Sequence, residues 1–128
     1  MKRIAATLLF IVASHFTIAQ DRDIEDIGVS LRNGSARELV KFCGSSVILK
    51  MNGETATYRK AEAEEKLRTF FLNNPPEDFN YIHQGSSSEG LKYCIGKYVV
   101  NNGAFRVVLL LKQQTDGFLL DTITLTEE

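Results

Sequence analysis

The chain has 128 residues, with 15 Lys and Arg against 16 Asp and Glu, a net charge of −1 and 44% hydrophobic residues. That length supports one hydrophobic core and is too short for two. A near-neutral balance without a basic run removes the electrostatic case for nucleic acid or an anionic membrane as partner.

The first residues have the three-part grammar of a secretory signal peptide. Lys2 and Arg3 form a positive end, Ile4 to Ala13 is an apolar run interrupted only by Thr7, and Thr17-Ile18-Ala19 precedes the polar Gln20-Asp21-Arg22-Asp23. The apolar run is about half of the ~20 residues that a membrane span needs, which favours cleavage over anchoring. No Cys follows the cut to carry a lipid. A cleaved leader over residues 1–19 and a single domain over 20–128 are therefore expected, with export to the periplasm or beyond and no membrane span after cleavage. Without Lys2 and Arg3, 13 basic residues face 16 acidic ones, a net charge of −3.

Asp21 to Arg32 places Ile24, Ile27 and Leu31 at helical spacing, and Asn33-Gly34 stops the pattern. Ser35-Ala36-Arg37-Glu38 has the form of a capping box, with the Ser oxygen taking a backbone N–H and Glu38 reaching back. Leu39, Val40 and Phe42 give the stripe of a second, short helix that ends at Cys43. Val47 to Met51 and Thr55 to Tyr58 predict a hairpin, because Asn52-Gly53 between them tolerates positive φ at both positions. A third helix is expected from Lys60 to Leu72. It would bury Ala63, Leu67, Phe70 and Phe71 and carry the pairs Glu62/Lys66 and Glu64/Arg68 on its wet side. Asn73-Asn74-Pro75-Pro76 ends it.

Four strands follow, at approximately Asp78–Gln84, Leu91–Asn101, Ala104–Gln113 and Phe118–Thr126, with a polar loop from Gly85 to Gly90 after the first. A tight turn at Asn102-Gly103 sets Val100 opposite Phe105, Tyr98 opposite Val107, Gly96 opposite Leu109 and Cys94 opposite Leu111. That face is almost wholly apolar and is assigned to the core beneath the helices. The other face carries Tyr93, Ile95, Lys97 and Val99 with Arg106, Val108, Leu110 and Lys112, an apolar centre within charges. Placing Leu119, Ile123 and Leu125 on the core side calls for a three-residue loop, Thr115-Asp116-Gly117, with Gly117 left-handed. The same register puts Asp121 on the core face beside Leu111. A two-residue turn at Asp116-Gly117 would instead set Asp121 against Lys112 on the outer face. The expected fold is α+β: three N-terminal helices with a short hairpin, packed on a curved, four-stranded antiparallel C-terminal meander.

This order of elements resembles the nuclear-transport-factor-two-like superfamily, with its cone-shaped, cystatin-like fold. The local match runs through Asn33-Gly34-Ser35-Ala36-Arg37-Glu38-Leu39-Val40-Lys41-Phe42 into Val47-Ile48-Leu49. Tyr93-Cys94-Ile95-Gly96, Gly103-Ala104-Phe105-Arg106 and Leu110-Leu111-Lys112-Gln113 look like a group of small exported bacterial proteins filed as a domain of unknown function. The resemblance implies a fold rather than an activity, since the superfamily holds isomerases, dehydratases, ligand binders and interaction domains. It also implies dimerisation through the outer sheet face.

The candidate chemistry is sparse. His83, the one histidine left after cleavage, suits a general base at a pocket mouth or is an ordinary strand residue. Asp121, if buried, is the second acid–base candidate, and enzymes of the superfamily use such acids; otherwise it is a surface ion pair. Tyr58, Tyr81, Tyr93 and Tyr98 offer an apolar body with a polar tip, or are simply strand residues. Arg106 fits an anion or the rim of an interface. Cys43 and Cys94 are either a disulfide or two small buried thiols. No cofactor, metal, phosphate-loop or nucleophile-elbow motif occurs. Ile95, Val99, Val108 and Leu110 form an apolar patch on a face that one helix layer leaves uncovered, as an interface would. The leading reading is a non-enzymatic module that binds a small ligand or protein and pairs as a homodimer. The alternative is a small pocket isomerase or dehydratase using Asp121 or His83.

Overall fold

The structure is a computed structural model that describes residues 22–87 and 89–128; the expected leader over 1–19 lies outside them. Helix α1 covers residues 22–33 and buries Ile24, Ile27 and Leu31. It closes with a Schellman motif, in which Gly34 has φ 64° and the N–H groups of Gly34 and Ser35 donate to the carbonyls of Leu31 and Ser30. Helix α2, Ala36–Val40, starts at Ser35, whose Oγ accepts from the N–H of Glu38 at 3.2 Å. The Glu38 carboxylate does not return to the cap as expected; it takes Lys41 Nζ at 3.0 Å, an opposite charge one turn away.

Strands β1 (Cys43–Met51) and β2 (Glu54–Arg59) are joined by Asn52-Gly53, with φ 55° and 79° as the hairpin turn requires. Cys43 opens β1 and does not end a helix. Helix α3, Lys60–Asn73, buries Ala63, Leu67, Phe70 and Phe71 as its spacing predicts. Arg68 pairs with Glu64 at 2.6 Å, whereas Lys66 lies over the Tyr58 ring. Strands β3 (Asp78–Ser86), β4 (Leu91–Val100), β5 (Gly103–Gln114) and β6 (Gly117–Glu127) complete the chain.

The C-terminal strands do not form a separate four-stranded meander. They join the hairpin in one six-stranded mixed sheet, ordered β2-β1-β6-β5-β4-β3. The added contact is parallel: Ile48 to Met51 of β1 run beside Thr122 to Leu125 of β6. This pairing links segments more than 70 residues apart and leaves β2 and β3 as the sheet's edges.

Two details of register differ from expectation. The β4–β5 turn is Asn101-Asn102, so Tyr98 faces Phe105 and Cys94 faces Leu109. The slip is two positions along the partner strand, so every side chain keeps its face. At β5–β6 the loop has two residues, Thr115-Asp116, since Gln114 pairs with Gly117. A β-bulge between Leu110 and Leu111 then absorbs one residue of β6. Before the bulge Leu120 rather than Leu119 points inward; beyond it Ile123 and Leu125 do, as expected. The bulge does the work assigned to a longer loop, and it carries Asp121.

The helices cover one face. Phe79, Cys94, Tyr98, Val107, Leu109, Leu111, Leu120 and Ile123 on that side are at most 1% exposed. Gly96 lies among them, and a Cβ there would overlap the Phe79 ring, which is 0% exposed and has nowhere to go. Gly96→Ala is expected to destabilise the fold by about 1–3 kcal/mol, read from a lowered urea midpoint at unchanged slope.

Candidate functional site

The space enclosed by the helices and the sheet is filled by aromatic rings. Phe70 of α3 meets Phe105 edge-on at 5.0 Å between centroids and Tyr98 at 5.6 Å. Phe71 lies 6.0 Å from Tyr98. The Tyr98 hydroxyl donates to the Asn74 carbonyl at 2.5 Å, and that of Tyr81 to the Ile24 carbonyl at 2.6 Å. Burial pushes both phenols far above their ordinary range. Each polar tip is satisfied by backbone, so these tyrosines act as struts. Tyr98, proposed from sequence as a binding residue, is 0% exposed and belongs to the core.

The acid–base candidates do not meet inside. Asp121 leaves the core at the bulge and turns to the outer face, where Lys112 Nζ lies 3.2 Å from its carboxylate. Its other oxygen accepts from the Thr122 hydroxyl at 3.0 Å. Of the two readings, the ion pair with Lys112 on the outer face holds and the buried acid is corrected: the two-residue loop sets Leu120 opposite Leu111 on the core side, so the next residue, Asp121, falls on the outer side. His83 is also outside, opposite Ile95 on edge strand β3, with its ring 5.7 Å from Tyr93. Among the described residues no group of three or more His, Cys, Asp or Glu is placed to hold a metal.

The outer face gathers much of what remains. Register sets Ile95 opposite Val108, Tyr93 opposite Leu110, Val99 opposite Ala104 and Lys97 opposite Arg106. The apolar members are half-buried by one another, while Lys97, Arg106 and Lys112 are exposed around them. Tyr93 lies across Gly85, where any Cβ would overlap the ring, so that glycine lets the ring lie flat on the edge strand. Tyr58 stands apart, half-buried on β2 with Lys66 Nζ 5.7 Å from its ring centroid.

One further concavity was not foreseen. A cleft of about 320 Å³ lies between α1 and β3, floored by Ile24, Gly28, Val29 and Tyr81, with Glu25, Arg32 and Gln84 at its rim. Arg32 donates through Nε and Nη2 to the Phe79 carbonyl at 3.2 and 2.8 Å, capping the free edge of β3. In sequence Arg32 is a basic residue in the last turn of a helix, and nothing there ties it to a strand 47 residues away.

Cys43 and Cys94 are free and buried. Strands β6 and β5 stand between β1 and β4, and three steps of ~4.8 Å exceed the ~7 Å Cα reach of a disulfide. The disulfide reading gives way to two thiols. Burial pushes Cys43 up to about 11, opposed weakly by Lys60, and raises Cys94 as well.

The family model described as "Domain of unknown function (DUF4783)" matches residues 24–126. A DUF4783 family protein from Bacteroides ovatus is 29% identical, with a TM-score of 0.75 over 80% of this chain and 93% of its own. One from Bacteroides uniformis is 26% identical, with a TM-score of 0.75 over 81% and 95%. The Rd1NTF2_05 variant, 12% identical, shares the fold with a TM-score of 0.65 over 82% and 94%. No curated protein matches the chain.

Two outcomes follow from the buried polar groups. Tyr98→Phe strands the Asn74 carbonyl and is expected to cost about 1–3 kcal/mol, measured by chemical denaturation. The thiols predict alkaline weakening. Cys43 ionises near 9.0 when unfolded and about 11 when folded, so its contribution is whole below pH 9 and is lost as pH rises from about 9 to about 11. Cys43→Ala should flatten the fall of stability across that window.

Proposed function

The chain belongs to the DUF4783 family, a domain of unknown function with a nuclear-transport-factor-two-like fold, and we propose that it is an exported, non-enzymatic binding module that pairs with a second copy through its outer sheet face. The contrast between the two faces carries this reading. The inner face is packed with interlocked rings whose polar tips are already bonded. The outer face presents Ile95, Val99, Val108 and Leu110 half-buried, with no helix above them among the described residues. An apolar centre with a charged rim is the usual composition of an interface, and a self-complementary patch gives a closed two-fold pair. The leader in residues 1–19 supports export.

The small-ligand part of the reading belongs to the α1–β3 cleft. Its volume is at the lower end for ligand sites, and an apolar floor with Arg32 and Gln84 at the rim suits a compact amphipathic molecule. The isomerase or dehydratase alternative, using Asp121 or His83, has less support, because neither side chain points into the ring-filled interior.

Sedimentation tests the pairing. The mature chain should be a dimer at high micromolar concentration, and Val108→Glu should be a monomer with an unchanged thermal transition. A monomeric parent protein would count against the reading.

A further inference from the structure

The outer face holds an electrostatic oddity. Lys97 and Arg106 stand directly opposite one another on β4 and β5. Like charges in that relation destabilise a sheet, and neither residue makes an ion pair among the described residues. Beyond the apolar rows of Val108 with Ile95 and Leu110 with Tyr93, Asp121 lies on the same face beside Lys112. Its carboxylate is 30% exposed and takes one bond at each oxygen, from Lys112 and Thr122, which leaves acceptor capacity for a guanidinium.

Two sheets meeting face to face through a two-fold axis have two limiting arrangements. With the axis along the strands, each row meets the same row of the partner, and Lys97 and Arg106 would face their own copies. With the axis across the strands, between the rows of Val108 and Leu110, the order of rows reverses. The cationic row then lies over the end that holds Lys112, six residues or ~20 Å along β5, with Asp121 paired to it on the neighbouring strand, so two cations face a neutral pair instead of a second cationic row. The apolar rows meet in both arrangements, so hydrophobic burial does not choose between them; charge does.

We infer that two copies of this chain pair with their strand directions reversed across the interface, so that Arg106 of one binds the partner's Asp121. The inference rests on the sheet-face reading above and adds its orientation. Lys112, 3.2 Å from the Asp121 carboxylate, holds it toward the interface.

Charge exchange between two separately purified variants tests this. Arg106→Asp and Asp121→Arg should each weaken self-association at least tenfold, because each puts like charges at both symmetric contacts. Mixed together they should form a heterodimer, in which both contacts are restored with opposite sign, tighter than either variant's homodimer by sedimentation velocity. Asp121→Asn, the milder change, should weaken pairing less than Asp121→Arg, and the thermal transition of each variant shows that it is folded. If the parent protein dimerises but the two variants gain nothing on mixing, the orientation is wrong and the sheet-face pairing stands. If the parent protein is monomeric, both are wrong.

Discussion

One layer of three helices covers one face of a six-stranded sheet, and everything else about the molecule follows from that asymmetry. The covered face must be dry, so its strand residues are apolar and its two tyrosines are tied off by the carbonyls of Ile24 and Asn74. Packing there is dense enough that Gly96 cannot gain a methyl group without displacing Phe79. An interior closed in this way has little to offer a substrate. The other face has the opposite problem: it carries branched aliphatic side chains in register, shielded among the described residues only by their neighbours and the rim.

The bulge in β6 connects the two faces. Residues before and after it both contribute leucines or isoleucine to the core, which a regular strand with a two-residue turn would not permit. One residue must be surplus to the ladder, and the surplus residue is the charged one. A carboxylate is tolerable at that point only because it leaves the core for Lys112. The bulge therefore completes the hydrophobic core, while the two-residue turn before it sets the acid on the outer face.

Much of this was legible in the sequence because local rules govern it. The periods of α1 and α3, the Ser35 cap, the Asn52-Gly53 turn and the division of β4 and β5 into two faces all depend on near neighbours. The parallel contact of β1 with β6 was not legible, since nothing near Ile48 or Thr122 refers to the other. The β5–β6 connection was misjudged for a related reason: a three-residue loop and a two-residue loop with a bulge impose the same register downstream, and only the facing of the residues before the bulge, Leu119, Leu120 and Asp121, distinguishes them. The candidate site suffered directly, because the environment of Asp121 depends on that one residue. Arg32 was missed as well, because its partner, the Phe79 carbonyl, is backbone on a distant strand.

The central claim is that the outer sheet face is covered by a second copy in solution. Methyl NMR with a soluble paramagnetic probe reads that cover residue by residue. The Val108 and Leu110 methyls should be shielded from the probe at high protein concentration and become accessible on dilution, while the buried methyls of Leu109 and Ile123 stay shielded throughout. Val108 and Leu110 methyls that relax equally fast at every concentration would contradict the account.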